Sequence, residues 1–100
     1  MAQSGNEQQP THVPSEEHGH LGLLASELSR YDVRADLVED EGPCLRVRNP
    51  ASACAVEEVV CERREHDYAF LASFGVHLGS SVSLGVTAHK VAWLVGATEE

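Results

Sequence analysis

The sequence predicts an α+β fold, a two-layer sandwich in which a helix, a four-stranded antiparallel meander and a second helix follow one another. Three observations predict it. Apolar residues recur at helical spacing near the start of the folded region and again at its end. Between these ends the spacing falls to two, the period of a strand. The runs of period two are separated by turns too short to hold a crossover helix, so neighbouring strands run antiparallel.

The first nineteen residues stand apart. They hold Gln3, Gln8, Gln9, Pro10 and Pro14, with Val13 the only β-branched aliphatic. Such a stretch buries too little apolar surface to offset the entropy of ordering it. Residues 1–19 are therefore expected to be a disordered acidic and polar tail, and 20–97 a single α+β domain. A domain of roughly 75–80 residues buries only about 60% of its unfolded-chain surface, so a partner would add useful stability.

The first helix is expected from about His20 to Tyr31, because Leu21, Leu24, Ala25, Leu28 and Tyr31 share a stripe. Gly19 and Gly22 weaken its start. In Val33–Val38, Val33, Ala35 and Leu37 alternate with Arg34 and Asp36, which is a strand. Glu39-Asp40-Glu41-Gly42-Pro43 is the turn. Cys44–Arg48 alternates again, with Leu45 and Val47 inward and Arg46 and Arg48 outward, so the two runs form a hairpin.

Asn49-Pro50 stops that strand, since proline lacks a ladder N–H and asparagine favours a turn. Ala51–Val56 reads as a loop or as one helical turn capped by Asn49. Glu57–Arg64 is the third strand and Glu65-His66-Asp67 a turn. Tyr68–Phe74 is the fourth strand, with Tyr68, Phe70, Ala72 and Phe74 on its inward face. Gly75 and Gly79 bracket a loop, after which Ser80, Ser81 or Ser83 can cap the last helix. Leu84, Ala88, Val91, Ala92 and Val95 form its stripe. Gly85 costs about 1 kcal/mol against alanine there. Gly96 stands where a glycine ends a helix.

The 16 acidic and 7 basic residues give a net charge of −9. That balance counts against nucleic acid and against anionic lipid as partners. No run approaches the roughly 18 apolar residues of a membrane span. The first residues hold neither a basic nor an apolar signal region, so a secretory leader is not expected. The cysteines are three, Cys44, Cys54 and Cys61. An odd number without a leader implies reduced thiols and a cytoplasmic protein.

Cys44, Cys54, Cys61 and His66 are too widely spaced for the paired ligands of a structural zinc site, so no metal is expected. His12, His18 and His20 read as solvated tail histidines. Cys61, His66 and Asp67 are the types of a thiolate, a base and an orienting carboxylate. Yet His66 and Asp67 fall on a hairpin tip, and Glu58, Glu62 and Glu65 surround the cysteine. Ser73 and His77 are a second pair without a nucleophile elbow. No phosphate-binding glycine loop, dinucleotide fingerprint or zinc-protease motif is present, so neither enzyme activity nor a cofactor is expected.

The arginines carry more information. Arg46 and Arg48 share a face, and Arg63 or Arg64 is expected to join them if the strands pair. Such a stripe suits a carboxylate, a phosphate or an acidic peptide. The competing reading is cross-strand pairing with Glu58, Glu62 or Glu65, which the acid excess favours. Trp93, if exposed near the end of the last helix, marks a contact surface.

The run Leu45-Arg46-Val47-Arg48-Asn49-Pro50, then Glu58-Val59-Val60-Cys61, then Ser73-Phe74-Gly75 and a closing helix resembles a group of small uncharacterised actinobacterial, Streptomyces-like proteins. The likeness runs from Leu24 to Val95. It implies a small accessory or regulatory protein and carries no catalytic residue. The expected function is therefore a non-enzymatic protein-interaction or regulatory module, acting through the open sheet face or the last helix on another protein or a second copy of itself. The alternative is an anion-binding domain built on the arginine stripe, and behind it a thiol enzyme centred on Cys61.

Overall fold

A computed structural model describes residues 16–39 and 42–99, with the backbone alone at 53 and 54. Helix α1 spans Glu16–Leu28. Five strands follow, β1 (Arg34–Glu39), β2 (Pro43–Asn49), β3 (Ser52–Arg63), β4 (Tyr68–Ala72) and β5 (His77–Ser80), and then helix α2 (Leu84–Leu94). Each strand pairs antiparallel with the next, in the order β1-β2-β3-β4-β5. The fold is the predicted α+β sandwich with one strand more than predicted.

Both helices pack on one face of this sheet. Leu21, Leu24 and Leu28 of α1 and Ala88, Val91 and Ala92 of α2 meet Leu45, Val47, Val59, Phe70 and Leu78 in one cluster. The predicted inward residues Leu45, Val47 and Phe70 are fully buried there. Alternation is the cause: a side chain two residues along a strand returns to the same face, so one face collects the apolar positions.

The helix begins four residues earlier than predicted. Residues 1–15 of the expected tail lie outside the described residues, but 16–19 are helical. Glu16 and Glu17 occupy the first turn, where unpaired N–H groups favour negative charge. The chain leaves α1 through a tight turn in which the Tyr31 N–H donates to the Leu28 carbonyl at 2.9 Å.

The segment expected as a loop or helical turn before Glu57 is the first half of β3. Pro50 and Ala51 alone make the turn, and Asn49 pairs with Ser52. Asn49 closes it by accepting the Ala51 N–H at 2.9 Å on Oδ1. Its Nδ2 donates to the Val95 carbonyl at 2.9 Å, tying this turn to the end of α2. A buried amide so satisfied at both ends avoids the cost of an unpaired polar group.

The fourth strand ends at Ala72, and Phe74 is not inward but 69% exposed. Ser73-Phe74-Gly75 is a three-residue hairpin loop. The Gly75 N–H donates to the Ala72 carbonyl at 2.9 Å, and the Ala72 N–H to the Val76 carbonyl at 2.8 Å. Gly75 has φ +88°, the left-handed position that such a loop requires and that favours glycine. The stretch expected as a loop up to Gly79 is thus a return strand, β5.

Helix α2 ends as predicted. Gly96 has φ +76°. Its N–H donates to the Trp93 carbonyl at 3.0 Å and the Ala97 N–H to the Ala92 carbonyl at 2.8 Å, the paired bonds of a Schellman motif.

Candidate interaction surface

The helices cover one side of the sheet, and the register sorts the other side into rows. Val38 lies opposite Cys44. Leu45 lies opposite Val59, which sets Cys44 beside Val60. Val60 lies opposite Leu71, and Leu71 opposite His77. One row, Val38–Cys44–Val60–Leu71–His77, therefore crosses all five strands, and its first four members are apolar. Cys44 is 8% exposed and Val60 38%. Val38 and Leu71 are half-buried.

The next row is charged. Asp36 lies opposite Arg46, and Arg46 opposite Glu58. The Arg46 Nε and Nη2 both donate to Glu58 Oε2, at 3.0 and 2.8 Å. Beyond it lie Arg34, Arg48 and Val56. Arg48 Nη2 donates to Asp36 Oδ2 at 3.3 Å, and Arg34 Nε lies 3.5 Å from the same oxygen. These side chains are between two-fifths and three-quarters exposed, so each pair contributes at most about 1 kcal/mol. Their effect is to hold three guanidinium groups in place against two carboxylates, Asp36 and Glu58.

Arg46 and Arg48 thus share a face as expected. Arg63 and Arg64 do not join them. Arg63 stands five residues beyond Glu58, roughly 17 Å along the strand. It lies opposite Tyr68, in the alternation of the helix-covered face. Arg64 pairs with Glu62 at 2.9 Å. Both line a different cleft of about 290 Å³, with Glu16, His20 and His66. The third member of the arginine group is Arg34, which with Arg48, Asn49, Pro50 and Ser52 lines a cleft of about 330 Å³. Its outward position was legible in the alternation of Val33–Val38. Its partner across the hairpin was not, because the register depends on the turn. Trp93 is 40% exposed and adjoins Leu94 at 37%, on the last turn of α2.

The candidate catalytic groups stay apart. Cys61 lies on the helix-covered face opposite Phe70. Burial, and then the charge of Glu17, push its thiol up to about 12. A thiol with that value is almost wholly protonated at neutral pH and a poor nucleophile. Iodoacetamide at pH 7.5 is therefore expected to modify Cys61 in the folded protein far more slowly than in urea. Equal rates, read by mass spectrometry, would contradict the burial described here.

His66 is exposed on the turn between β3 and β4. The Ser73 hydroxyl donates to Glu57 Oε1 at 3.0 Å rather than to His77. His20 stacks on Tyr68 with ring centroids 4.3 Å apart. The Tyr68 hydroxyl donates to Glu16, and this bond above all raises the phenol. His18 and His20 belong to α1 rather than to a tail. His12 and the Cys54 side chain lie outside the described residues. Among the described residues no group of three or more His, Cys, Asp or Glu side chains is placed to hold a metal ion.

The fold and this surface define a class: a two-layer α+β sandwich with both helices on one sheet face and, among the described residues, no helix on the other. No family model, curated protein or solved structure matches the chain. Among the described residues no helix is long and apolar enough to cross a membrane.

Proposed function

We propose that this protein is a small non-enzymatic interaction module of accessory or regulatory type, and that it binds another protein or a second copy of itself through the open sheet face. The observation that supports this reading is the apolar row Val38–Cys44–Val60–Leu71, which crosses four of the five strands. An antiparallel sheet face left to water ordinarily alternates to polar side chains. Here Val38, Cys44, Val60 and Leu71 stand in one line, with Val60 the most exposed of them at 38%. A contiguous apolar line rimmed by charge is the pattern of a contact surface. The thiols Cys44 and Cys61 suit a reducing compartment such as the cytoplasm.

Anion binding is served less well. Arg34 and Arg48 line one cleft, but Asp36 already sits between them, and Glu58 holds Arg46.

The test is capture from an extract of the host, using wild type, Val60→Asp and Val86→Asp. Val86 is 70% exposed on α2 and serves as a control. The expected result is a protein retained by wild type and Val86→Asp, lost with Val60→Asp, and protecting the amides of β3 and β4 from exchange. Retention by Val60→Asp, or protection confined to α2, would refute the reading.

A further inference from the structure

We infer that β1 is the edge through which two copies of this chain join, their β1 strands pairing antiparallel about a two-fold axis at Ala35. This surface is distinct from the open face: it is the rim of the sheet, and pairing there leaves that face uncovered.

The two edges of the sheet differ. A strand edge presents unpaired N–H and C=O groups, and folded proteins blunt it with short strands, bulges, proline or lysine. β5 is blunted. It has four residues, its register slips at Phe70/Leu71, and its Gly79 lies against Thr87 of α2. β1 has six residues in unbroken register with β2, and neither proline nor lysine. Among the described residues no strand lies beyond it. Its Leu37 is 37% exposed although it shares the helix-covered face with Leu45. Gly22 of α1 stands over this leucine, where a Cβ would lie 3.9 Å from Leu37 Cδ1. Neither a further strand nor a side chain at Gly22 covers it.

The residues of this edge match themselves, as an isologous contact requires. From Val33 to Leu37 they read apolar, positive, apolar, negative, apolar. An axis at Ala35, perpendicular to the sheet, sets Arg34 of each copy opposite Asp36 of the other. It sets Val33 of each opposite Leu37 of the other, and Ala35 against Ala35. The charged pairs fall on the open face, where the Arg34 side chain is 70% exposed and can reach across. The apolar pairs fall on the helix side, where Val33 and Ala35 already pack against the core. Opposed residues stand about 4.5–5.5 Å apart, and both kinds of pair stabilise a sheet at that distance. No other axis within β1 gives this match. One at Arg34, Asp36 or Glu39 sets that charge against its own copy. One at Leu37 or Val38 sets Glu39 against an apolar residue of the other copy. With the axis at Ala35, Glu39 falls beyond the paired residues, against the turn that follows α1. Pairing over so short a run, between copies that each carry −9, makes a weak dimer that exchanges.

Sedimentation equilibrium of the full chain, from about 1 µM to about 1 mM, tests this. The expected result is a reversible monomer–dimer equilibrium. Arg34→Glu and Asp36→Lys, each shown by circular dichroism to be folded, should each weaken it at least about fivefold, because like charges then face one another. An equimolar mixture of the two variants should associate again, because each charge then meets its opposite. Misfolding cannot imitate that recovery. Val60→Asp, on the open face, should leave the dimer unchanged. Under mild oxidation Ala35→Cys should form a disulfide between the two introduced thiols, mapped by mass spectrometry. It should form at least about tenfold faster than with Val86→Cys, since opposed Cα atoms lie within disulfide range.

A monomer at every concentration overturns the inference. So does a mixture of the two charge variants that stays monomeric, a dimer that Val60→Asp disrupts, or an Ala35→Cys protein that cross-links no faster than Val86→Cys. The binding role of the open face stands or falls separately, on capture through Val60.

Discussion

Phe70→Ala is expected to remove about 3–5 kcal/mol of stability. Phe70 is fully buried and heads the buried side chains in volume. It sits on β4 opposite Cys61 of β3 and Gly79 of β5, facing both helices. Truncation removes the transfer energy of a phenyl ring and leaves a cavity that two helices and three strands cannot close together. The described fold is small, and domains hold roughly 0.05–0.15 kcal/mol per residue, so the loss approaches the whole of the stability. Urea denaturation followed by Trp93 fluorescence should show a midpoint shifted far toward zero, or no folded baseline. Phe70→Leu keeps most of the volume and should cost much less. A Phe70→Ala protein that unfolds near the wild-type midpoint would mean that the ring is not at the centre of the core.

Gly79→Ala is expected to destabilise by about 1–3 kcal/mol, and Gly79→Val by more. Propensity alone points the other way, because glycine weakens a strand and alanine should improve it. The structure decides the sign. A Cβ at Gly79 would stand 1.9 Å from Thr87 Oγ1, 2.9 Å from Thr87 Cβ and 3.3 Å from Thr87 Cα. The hydroxyl can rotate away, but it would give up the bond to the Ser83 carbonyl at 2.9 Å. The Cβ and Cα cannot move without α2. The glycine thus lets the helix lie directly on β5. Thr87→Gly should recover part of the loss, with a coupling of about 1 kcal/mol in the double-mutant cycle. A neutral or stabilising Gly79→Ala, or strictly additive substitutions, would show that α2 does not rest there.

Several parts of this fold were legible in the residues. Period two in Cys44–Arg48 separated Leu45 and Val47 from Arg46 and Arg48, and the structure keeps that division. The stripe from Leu84 to Val95 placed α2, and Gly96 placed its end. These are local signals, written in neighbours that share one element.

The errors lie where a remote contact decides. Ser73-Phe74-Gly75 continues the alternation of β4 in sequence, so Phe74 read as inward. Only the hydrogen bonds back to Ala72 turn the chain there and expose the ring. The strand His77–Ser80 is four residues long with a glycine inside, too short for a periodic signal. Its existence depends on the edge that β4 offers. Ser52 and Val56 likewise join the sheet because Asn49 and Arg48 of β2 lie opposite them. The arginine group was half legible. Face followed from alternation, but companionship followed from register, which replaced Arg63 and Arg64 with Arg34.

By itself the sequence determined the fold class, the two helices, the inward faces of β2 and α2, and an acidic chain without catalytic motifs. The tertiary structure alone decided the fifth strand, the close seat of α2 on Gly79, and the apolar row across the open face. The physical reason is range. Periodicity and capping act within one element, where the sequence states the neighbours outright. Register and packing join residues tens of positions apart, and they are settled only when the strands have paired.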